Sequence, residues 1–384
     1  MNPVLLLLSV SAASVGLSIR AVEPMLPVLA SEFSVTVPVA AQVITVFSLL
    51  YATGQFFHGP LGDRYGKLPV IAVMLLAASG TFLGCAMAKD LASLTLWRAA
   101  AGVFSAAPFI LGMAYIGDTV PLENRQTTVA QFVTGNVIGH ACGPLLAGAV
   151  TDALGWRSMF VFLAGLFALV GAMMVGLARS RGGHEQRAAM AGNAMTRYME
   201  VLKAPKVRVL AWTAAIEAFF FFGGYAYLGA MLKERFDLSY TLIGLALAGL
   251  GVGGLLFNVS IRWFLRRLNP RHMVLSGGLG CGALYVVIAL LPVWQPIYVL
   301  MIGLGFTFYF VHNVLQTRAT EASPHARGVG MSVFGIAWTI GQSMGVALMG
   351  VGLSAFGFMP MLAAFGAGFA ALGVWMTFNM QKLP

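Results

Sequence analysis

Four charged side chains lie inside the long apolar runs of this 384-residue chain, and they are its first candidates for chemistry. Arg20 and Glu23 stand at i and i+3 just before Pro24 and Pro27, while Arg98 and Glu217 each occupy a further apolar run. Charge in hydrocarbon is costly, so a charged residue there is a functional candidate by default. A carboxylate beside an arginine stays ionised and takes up a proton more readily once the pair separates. These residues therefore favour proton exchange, and a static ion pair that anchors the first run is the alternative for Glu23.

Glu217 stands on a helical face that it shares with aromatic residues, namely Phe220, Phe221 and Tyr225. An acid set in an aromatic wall suits a proton carrier or a recognition point for a cationic amphipathic molecule. A hydrogen bond that packs two helices together is the alternative.

A later apolar run carries a polar stripe at helical spacing, formed by Tyr309, His312, Asn313 and Gln316. We expect this stripe to line a cavity. His312 can titrate near neutrality and so transfer protons, or it can be a hydrogen-bonded packing residue. Weaker candidates for the same cavity are Gln42, Tyr51, Gln55, Gln131 and Asn258, whereas His58 and His140 are expected to be structural.

The elements that position these residues are predicted to be membrane-spanning helices. The chain is 59% hydrophobic and 9% charged, with a mean hydropathy of +0.85. Apolar runs of about 20 residues are long enough to cross the hydrocarbon core, and continuous runs favour helices over a barrel. The sequence therefore predicts an all-α integral membrane protein with spans at 4–29, 38–60, 69–88, 93–118, 126–150, 157–178, 208–230, 240–262, 272–292, 296–317, 327–353 and 359–379.

The net charge of +10 gives an orientation rather than a nucleic-acid partner. With the N-terminus in the cytoplasm, most Lys and Arg fall on cytoplasmic segments, and only Lys89, Arg157, Lys233 and Arg235 fall outside. Both termini are therefore predicted to be cytoplasmic. Residues 1–19 lack a basic leader, so we expect an uncleaved first span. The three cysteines lie in apolar runs, and we expect no disulfide.

The spans form two sets of six, predicted as an N-terminal bundle 1–178 and a C-terminal bundle 208–384, joined by a cytoplasmic linker 179–207. Within the linker, 195–207 suits either an amphipathic surface helix or a solvated connection. An offset of about 202 residues superposes Arg125 on Arg327 and Gly139 on Gly341, together with further glycines. This offset favours a parallel duplication, an architecture in which a transported molecule binds between the halves.

The polar joint between the second and third spans carries a family resemblance. Its residues Gly59, Pro60, Leu61, Gly62, Asp63, Arg64, Tyr65, Gly66 and Lys67 resemble the signature loop of the major facilitator superfamily. We expect a tight turn here. The resemblance implies a conformational latch formed by Gly59, Gly62, Asp63, Arg64, Gly66 and Lys67, with Asp118 and Arg125 nearby at the cytoplasmic rim. A permanently solvated charge network is the alternative.

Two further motifs resemble the twelve-helix drug:proton antiporter branch of that family. The segment Leu94–Gly102 is similar to a fourth-helix motif with a buried, proton-coupling arginine, here Arg98, although Ala101 replaces its usual polar residue. The segment Gly139–Gly148 is similar to the fifth-helix antiporter motif through Gly139, Gly143, Pro144 and Gly148, with Ala147 in place of a glycine. The resemblance places the first and fourth helices at a central cavity, where Glu23 exchanges between a proton and pairing with Arg20 or Arg98.

The resulting hypothesis is a proton-coupled antiporter of the bacterial inner membrane, a monomer that exports a small amphipathic molecule by alternating access. Its expected partners are that molecule, protons and membrane lipids. Gly66 and Lys67 do not complete a P-loop, and no enzyme motif, metal site or cofactor is indicated. The alternatives are proton-coupled uptake of a small metabolite and a non-transporting receptor or assembly subunit on the same fold.

Overall fold

The computed structural model describes residues 3–180, 200–321 and 327–383, and twelve of its helices are long and apolar enough to cross a membrane. This confirms the predicted all-α architecture of two six-helix repeats. We number these helices 1 to 12 in chain order. Their bounds are Pro3–Glu32, Val37–Tyr65, Lys67–Ala86, Leu91–Thr119, Leu122–Leu154 and Trp156–Ser180, then Pro205–Phe236, Tyr240–Leu265, Pro270–Leu290, Ile297–Glu321, Arg327–Phe356 and Phe358–Asn379. Most of the predicted linker lies outside the described residues.

Helix 1 is broken where its prolines stand, as the sequence predicts. Its first segment ends at Arg20, a 3-10 turn covers Glu23–Met25, and a second segment covers Leu26–Glu32. Proline lacks an N–H group and its ring collides with the preceding turn, so the regular ladder cannot continue. Helix 7 is broken at the equivalent place, between Pro205–Tyr225 and Leu228–Phe236, although no proline stands there.

The joint between helices 2 and 3 is a tight turn, and it is shorter than the gap between the predicted spans 38–60 and 69–88. Helix 2 runs through Gly59, Pro60 and Gly62 to Tyr65, and Gly66 alone makes the turn with a φ of 91°. Gly66 tolerates this left-handed conformation because it has no Cβ. Gly62 has another purpose, since it lies against the side chain of Leu111 in helix 4.

The offset of about 202 residues relates contacts as well as residue types. A methyl group added at Gly139 would overlap the carbonyl oxygen of Ala13, and one added at Gly341 would overlap that of Ala215. Helix 5 therefore approaches helix 1 as closely as helix 11 approaches helix 7. In both halves the absence of a side chain lets two backbones touch.

Other pairings repeat in the same manner. Helices 3 and 6 pack as helices 9 and 12 do, and helices 2 and 4 pack as helices 8 and 10 do. Gly155 and Gly357 join the last two helices of their halves with φ values of 83° and 78°. Each half is thus built on the same internal plan.

The two halves meet mainly through helices 5 and 8 and through helices 2 and 11. We call the end of the bundle where odd-numbered helices begin the terminal end. At the opposite end, the carboxylate of Asp152 in helix 5 accepts hydrogen bonds from the backbone of Tyr240 (3.1 Å) and from the backbone (2.7 Å) and hydroxyl (2.6 Å) of Thr241. Ser343 Oγ of helix 11 donates to the Thr45 carbonyl of helix 2 at 2.8 Å. Asp152 of the N-terminal half thus caps the N-terminus of helix 8 in the C-terminal half.

The close approach of helices 1 and 5 gives a first prediction. Gly139→Ala places a methyl group against backbone, which cannot move aside as a flexible side chain can, so we expect a loss of about 1–3 kcal/mol of stability. Thermal unfolding of the purified protein in detergent measures it. The matched control is Gly165→Ala in helix 6, where an added Cβ meets open space. Equal melting temperatures for the two variants would contradict the packing argument.

Candidate functional site

The centre of the bundle holds a buried ion pair on helix 1. Arg20 Nη1 lies 2.7 Å from Glu23 Oε1, and each side chain is 1% exposed. The break after Arg20 permits this contact, because the carboxyl group then stands on the 3-10 turn directly beyond the guanidinium. Glu23 Oε2 has no hydrogen-bond partner among the residues that the structure describes. The predicted pairing of Glu23 with Arg20 is thus present, with one carboxylate oxygen left over.

Arg20 also reaches into the second half of the molecule. Its guanidinium carbon lies 3.9 Å from the ring centroid of Phe222 in helix 7, and its Nη2 lies 3.5 Å from Gln342 Oε1 in helix 11. The Gln342 amide in turn donates to Ser48 Oγ of helix 2 at 3.2 Å. A cation over an aromatic face gains more when both are desolvated, as here. The ion pair therefore forms part of the contact between the two halves.

Arg98 of helix 4 is fully buried but is not hydrogen-bonded to Glu23. Its guanidinium carbon lies 3.9 Å from the ring centroid of Phe47 in helix 2. None of its three guanidinium nitrogens has a hydrogen-bond partner within the described part of the chain. A buried cation without such partners is costly, so this position favours the arrival of an anionic or polar group.

A second buried acid has a base beside it in the C-terminal half. Glu217 Oε2 of helix 7 lies 3.1 Å from His312 Nδ1 of helix 10, and the glutamate side chain is 0% exposed. The imidazole stacks on Phe308 at 5.1 Å and lies 5.7 Å from Trp338. Glu217 Oε1 and Trp338 Nε1 both lack a hydrogen-bond partner in the described residues. One acceptor and one donor are thus left open beside a titratable pair.

The sequence names Glu217 and His312 separately and does not pair them, since they lie 95 residues apart in the chain. The signal for Glu217 was a charge within an apolar run, and the signal for His312 was a polar stripe at helical spacing. What joins them is the packing of helices 7 and 10, which no local pattern specifies.

The aromatic wall predicted around Glu217 separates into different surroundings. Phe220 turns away from the centre towards Phe365 of helix 12, at 5.8 Å between ring centroids. Phe221 is buried against Phe308 at 4.0 Å, and the Tyr225 hydroxyl donates to the Leu247 carbonyl at 2.9 Å. Neighbouring residues of a helix are turned by about 100°, and here this turn directs Phe220 outwards and Phe221 into the core. The side chains of Phe221 and Tyr225 are thus engaged in packing.

The other predicted cavity residues are spread along the bundle. Tyr309 stacks on Phe257 at 6.0 Å, and its ring lies edge-on to His312 at the same distance. Asn313, Gln316 and Gln42 are half-buried, while Gln131 is exposed. Of the helix 10 stripe, His312 is the residue whose contact with Glu217 the structure describes.

At the terminal end, Lys67 stands between two acids. Its Nζ lies 2.5 Å from Asp118 of helix 4 and 3.6 Å from Asp63 of helix 2. Arg125 instead donates to the Val120 carbonyl at 3.1 and 3.2 Å, and Arg64 lies over the ring of Tyr65. The ion pairs of the predicted latch therefore centre on Lys67, and these pairs stay within the N-terminal half.

The predicted antiporter motif lies on helix 5 between the ion pair and the second half. Gly143 packs against the backbone of Leu17 and beside Arg20 Cβ, as Gly139 packs against helix 1 one turn earlier. Pro144 and Gly148 face helix 8, where Gly244 approaches the Pro144 carbonyl. The motif thus provides close contacts on both sides of helix 5. Across the described ranges, no group of three or more His, Cys, Asp or Glu residues could hold a metal ion.

Comparison with known proteins gives a consistent result. A sequence profile of the Major Facilitator Superfamily matches residues 8–346. YwfA of Bacillus subtilis (strain 168), described as an MFS-type transporter, is 27% identical over 96% of this chain and 89% of its own length. The inner membrane transport protein YdhP of Escherichia coli (strain K12) is 26% identical over 99% and 97%.

The fold has a solved counterpart. It is similar to the crystal structure of a bacterial homolog of the human lysosomal transporter Spinster, in an inward-facing and unoccupied conformation, with a TM-score of 0.74. The match covers 100% of this chain and 95% of the other at 19% sequence identity, so it bears on the fold alone.

The buried ion pair gives a second prediction. Arg20→Met leaves the Glu23 carboxylate without its cation, and removing one partner of a buried pair typically costs about 3–5 kcal/mol. The double variant Arg20→Met/Glu23→Met removes both charges and should recover most of that loss. Thermal unfolding of Arg20→Met, Glu23→Met and the double variant in detergent measures the coupling between the two residues. If the double variant were as unstable as the sum of the singles, the two groups would not act as a pair.

Proposed function

This chain belongs to the major facilitator superfamily of transporters, whose substrates are small molecules, and we propose that it is a proton-coupled antiporter that exports a small amphipathic compound. The observation that carries the proposal is the Glu217–His312 pair, buried between helices 7 and 10 and in contact with aromatic rings. An intramembrane acid beside a histidine is the chemistry of proton relays in transporters.

The open atoms beside this pair support exchange. Glu217 Oε1 can accept either a proton or a hydrogen bond from a positively charged substrate, and Trp338 Nε1 can donate to an acceptor on that substrate. The two ligands then compete for one carboxylate oxygen. Competition of this kind favours antiport, because release of one ligand is needed before the other binds.

The Arg20–Glu23 pair offers a way for protonation to change the conformation of the protein. Arg20 is held by Glu23 on its own helix and by Phe222 and Gln342 in the other half. Protonation of Glu23 weakens its hold on the guanidinium and so changes the balance of contacts across the interface. In this proposal, proton binding shifts the equilibrium between two arrangements of the halves.

The distribution of contacts supports an inward-open state. The hydrogen bonds of Asp152 and Ser343 close the end opposite the termini. Gln131 of helix 5 and Asn258 of helix 8 are exposed towards the terminal end, where polar side chains fit a water-filled opening better than lipid. The excess of Lys and Arg at the terminal end supports a cytoplasmic location for it. The name of YdhP supports the bacterial inner membrane as the site of action.

The latch residues have a place in the same proposal. Lys67 binds Asp118 and Asp63 within one half while the terminal end is open. Closure of that end would bring the second half within reach of these partly exposed acids. Exchange of partners between the two states would give Asp63 the conformational role that the family resemblance implies.

Neutralising the helix 7 acid gives a third prediction. Glu217→Gln keeps the shape of the side chain but cannot take up the coupling proton. In proteoliposomes, stimulation of substrate flux by an imposed pH gradient should fall by about tenfold, which is within the usual range of coupling between sites. The matched control is Glu234→Gln, the same change at an exposed position of helix 7.

The direction and driving force of flux decide among the alternatives. Accumulation of substrate in the same direction as proton flow would indicate uptake rather than antiport. No gradient-driven flux with any compound of a broad panel would favour a receptor or assembly role. Full gradient dependence in Glu217→Gln would remove this residue from the proton path.

The cap on helix 8 gives a fourth prediction. Asp152→Ala removes the carboxylate that joins the halves, so the population open at that end should rise by roughly tenfold, equivalent to about 1.4 kcal/mol. Spin labels at Leu154→Cys and Phe356→Cys, in a background without the native cysteines, report the separation of the two halves by pulsed electron spin resonance. Both positions are exposed.

A matched control is available within the first half. Asp90 caps helix 4 through Ser93 of the same helix, and these hydrogen bonds hold the pKa of the Asp90 carboxyl below its usual range. Asp90→Ala removes a helix cap without touching the interface. A distance distribution unchanged by Asp152→Ala would show that the cap does not hold this end closed.

A further inference from the structure

A groove of about 420 Å³ runs along the outer surface of the C-terminal half, between helices 7 and 12. It is separate from the central site, because it opens on the outside of the bundle and Glu217 is not among its lining residues. Its lining is nearly all apolar and consists of Val209, Trp212, Thr213, Ile216, Phe220, Gly368, Ala371, Leu372 and Trp375. The Thr213 hydroxyl is already bonded to the Val209 carbonyl at 2.7 Å. The groove therefore suits a hydrocarbon chain.

The length of the groove matches one leaflet of a bilayer. From Val209 to Phe220 helix 7 rises by about 16 Å at 1.5 Å per residue. This is roughly half of a hydrocarbon core of about 30 Å. The groove begins near the terminal end of helix 7 and stops near the middle of the bundle. A single acyl chain of the leaflet at the terminal end would fill it from headgroup to tip.

Basic side chains stand where the headgroup would lie. Lys206 is in the first turn of helix 7, and Lys382 ends the 3-10 turn Met380–Lys382 that follows helix 12; both are exposed. At 1.5 Å per residue Lys206 lies about 9 Å beyond Trp212 along helix 7, and Lys382 follows the end of helix 12 at Asn379. By helical periodicity Lys206 falls beside the stripe of helix 7 that lines the groove. Both bases therefore lie at the terminal end of the two helices that form the groove.

The two tryptophans add to this arrangement. Trp212 is 71% exposed and Trp375 is 39% exposed, one on each wall of the groove. Tryptophan is enriched at the level of the lipid headgroups, where its ring meets hydrocarbon and its N–H meets polar groups. A basic pocket between transmembrane helices is the chemistry that holds an anionic lipid headgroup.

We propose that the groove between helices 7 and 12 is a binding site for one anionic phospholipid, with an acyl chain along the groove and the phosphate between Lys206 and Lys382. The bound lipid packs against the outer face of helix 7, whose inner face carries Glu217. It therefore stabilises the helix on which the central pair depends. The site does not require the chain to be an antiporter, since it is defined by the outer surface alone.

Native mass spectrometry of the detergent-purified protein tests this site with phosphatidylglycerol and phosphatidylcholine as probes. The wild-type chain should retain one phosphatidylglycerol in preference to phosphatidylcholine. In Lys206→Gln/Lys382→Gln this affinity should fall by about 30-fold, since each base near an anionic surface contributes about fivefold. Ala371→Trp, which fills the groove, should abolish retention.

The control is Arg271→Gln, which removes a base from the same end of the same half. Arg271 lies in the first turn of helix 9, and its backbone carbonyl accepts a hydrogen bond from the Thr377 hydroxyl, on the side of helix 12 that faces away from the groove. Retention equally reduced by Arg271→Gln would show a general charge effect and overturn the site. Retention unaffected by the lysine double variant would also overturn it, and this arm holds even if Ala371→Trp fails to fold.

The same spectra distinguish two other possible occupants of the groove. Equal retention of both lipids, lost only in Ala371→Trp, would show an unspecific acyl groove and reject the anionic site. A dimer mass that disappears in Ala371→Trp would show that a second copy of the chain covers the groove, and this also rejects the proposal.

Discussion

Charged groups inside a lipid-embedded bundle receive no help from bulk water, and the centre of this molecule is arranged around that constraint. Arg20 shows how the constraint is met, since its charge is shared among a carboxylate, an aromatic face and an amide. No single helix offers all three groups, so they come from helices 1, 7 and 11. The partners needed to bury the cation thus also hold the two halves together. Loosening any of them weakens the interface as well as the pair.

The scaffold is symmetric while its charges are not, and the symmetry explains which residues meet. The offset of 202 residues that relates Gly139 to Gly341 also relates Arg20 to Phe222 and Glu23 to Tyr225. Arg20 lies over Phe222 at 3.9 Å and over Tyr225 at 5.6 Å. Equivalent positions touch each other because the broken segments of helices 1 and 7 both lie near the axis that relates the halves. The N-terminal half supplies the ion pair there, and the C-terminal half supplies the aromatic rings that face Arg20.

Local patterns were sufficient for the helices but insufficient for the site. Span length is set by the thickness of the membrane, so the apolar runs located all twelve helices. Most of the predicted helix ends lie within a few residues of the observed ends. Helix 2 continued past Pro60 because one proline removes a single hydrogen bond, while Gly66 alone meets the need for a turn. The Glu217–His312 contact and the outward turn of Phe220 depend on how separate helices pack. Neither leaves a trace in the order of residues within one helix.

The two ends of the bundle hold their acids differently, and this difference constrains how it can move. Asp152 bonds across the interface, whereas the Lys67 pairs with Asp63 and Asp118 remain inside one half. If the bundle alternates between two states as proposed, opening the end that Asp152 joins loses contacts. Closure of the terminal end must then form others of similar free energy for both states to be populated. Asp63 and Asp118 are 43% and 58% exposed, which leaves their remaining oxygens accessible to a second half that approaches. In the proposed antiport, a substrate or proton would then need to supply only the small difference between the two sets of contacts.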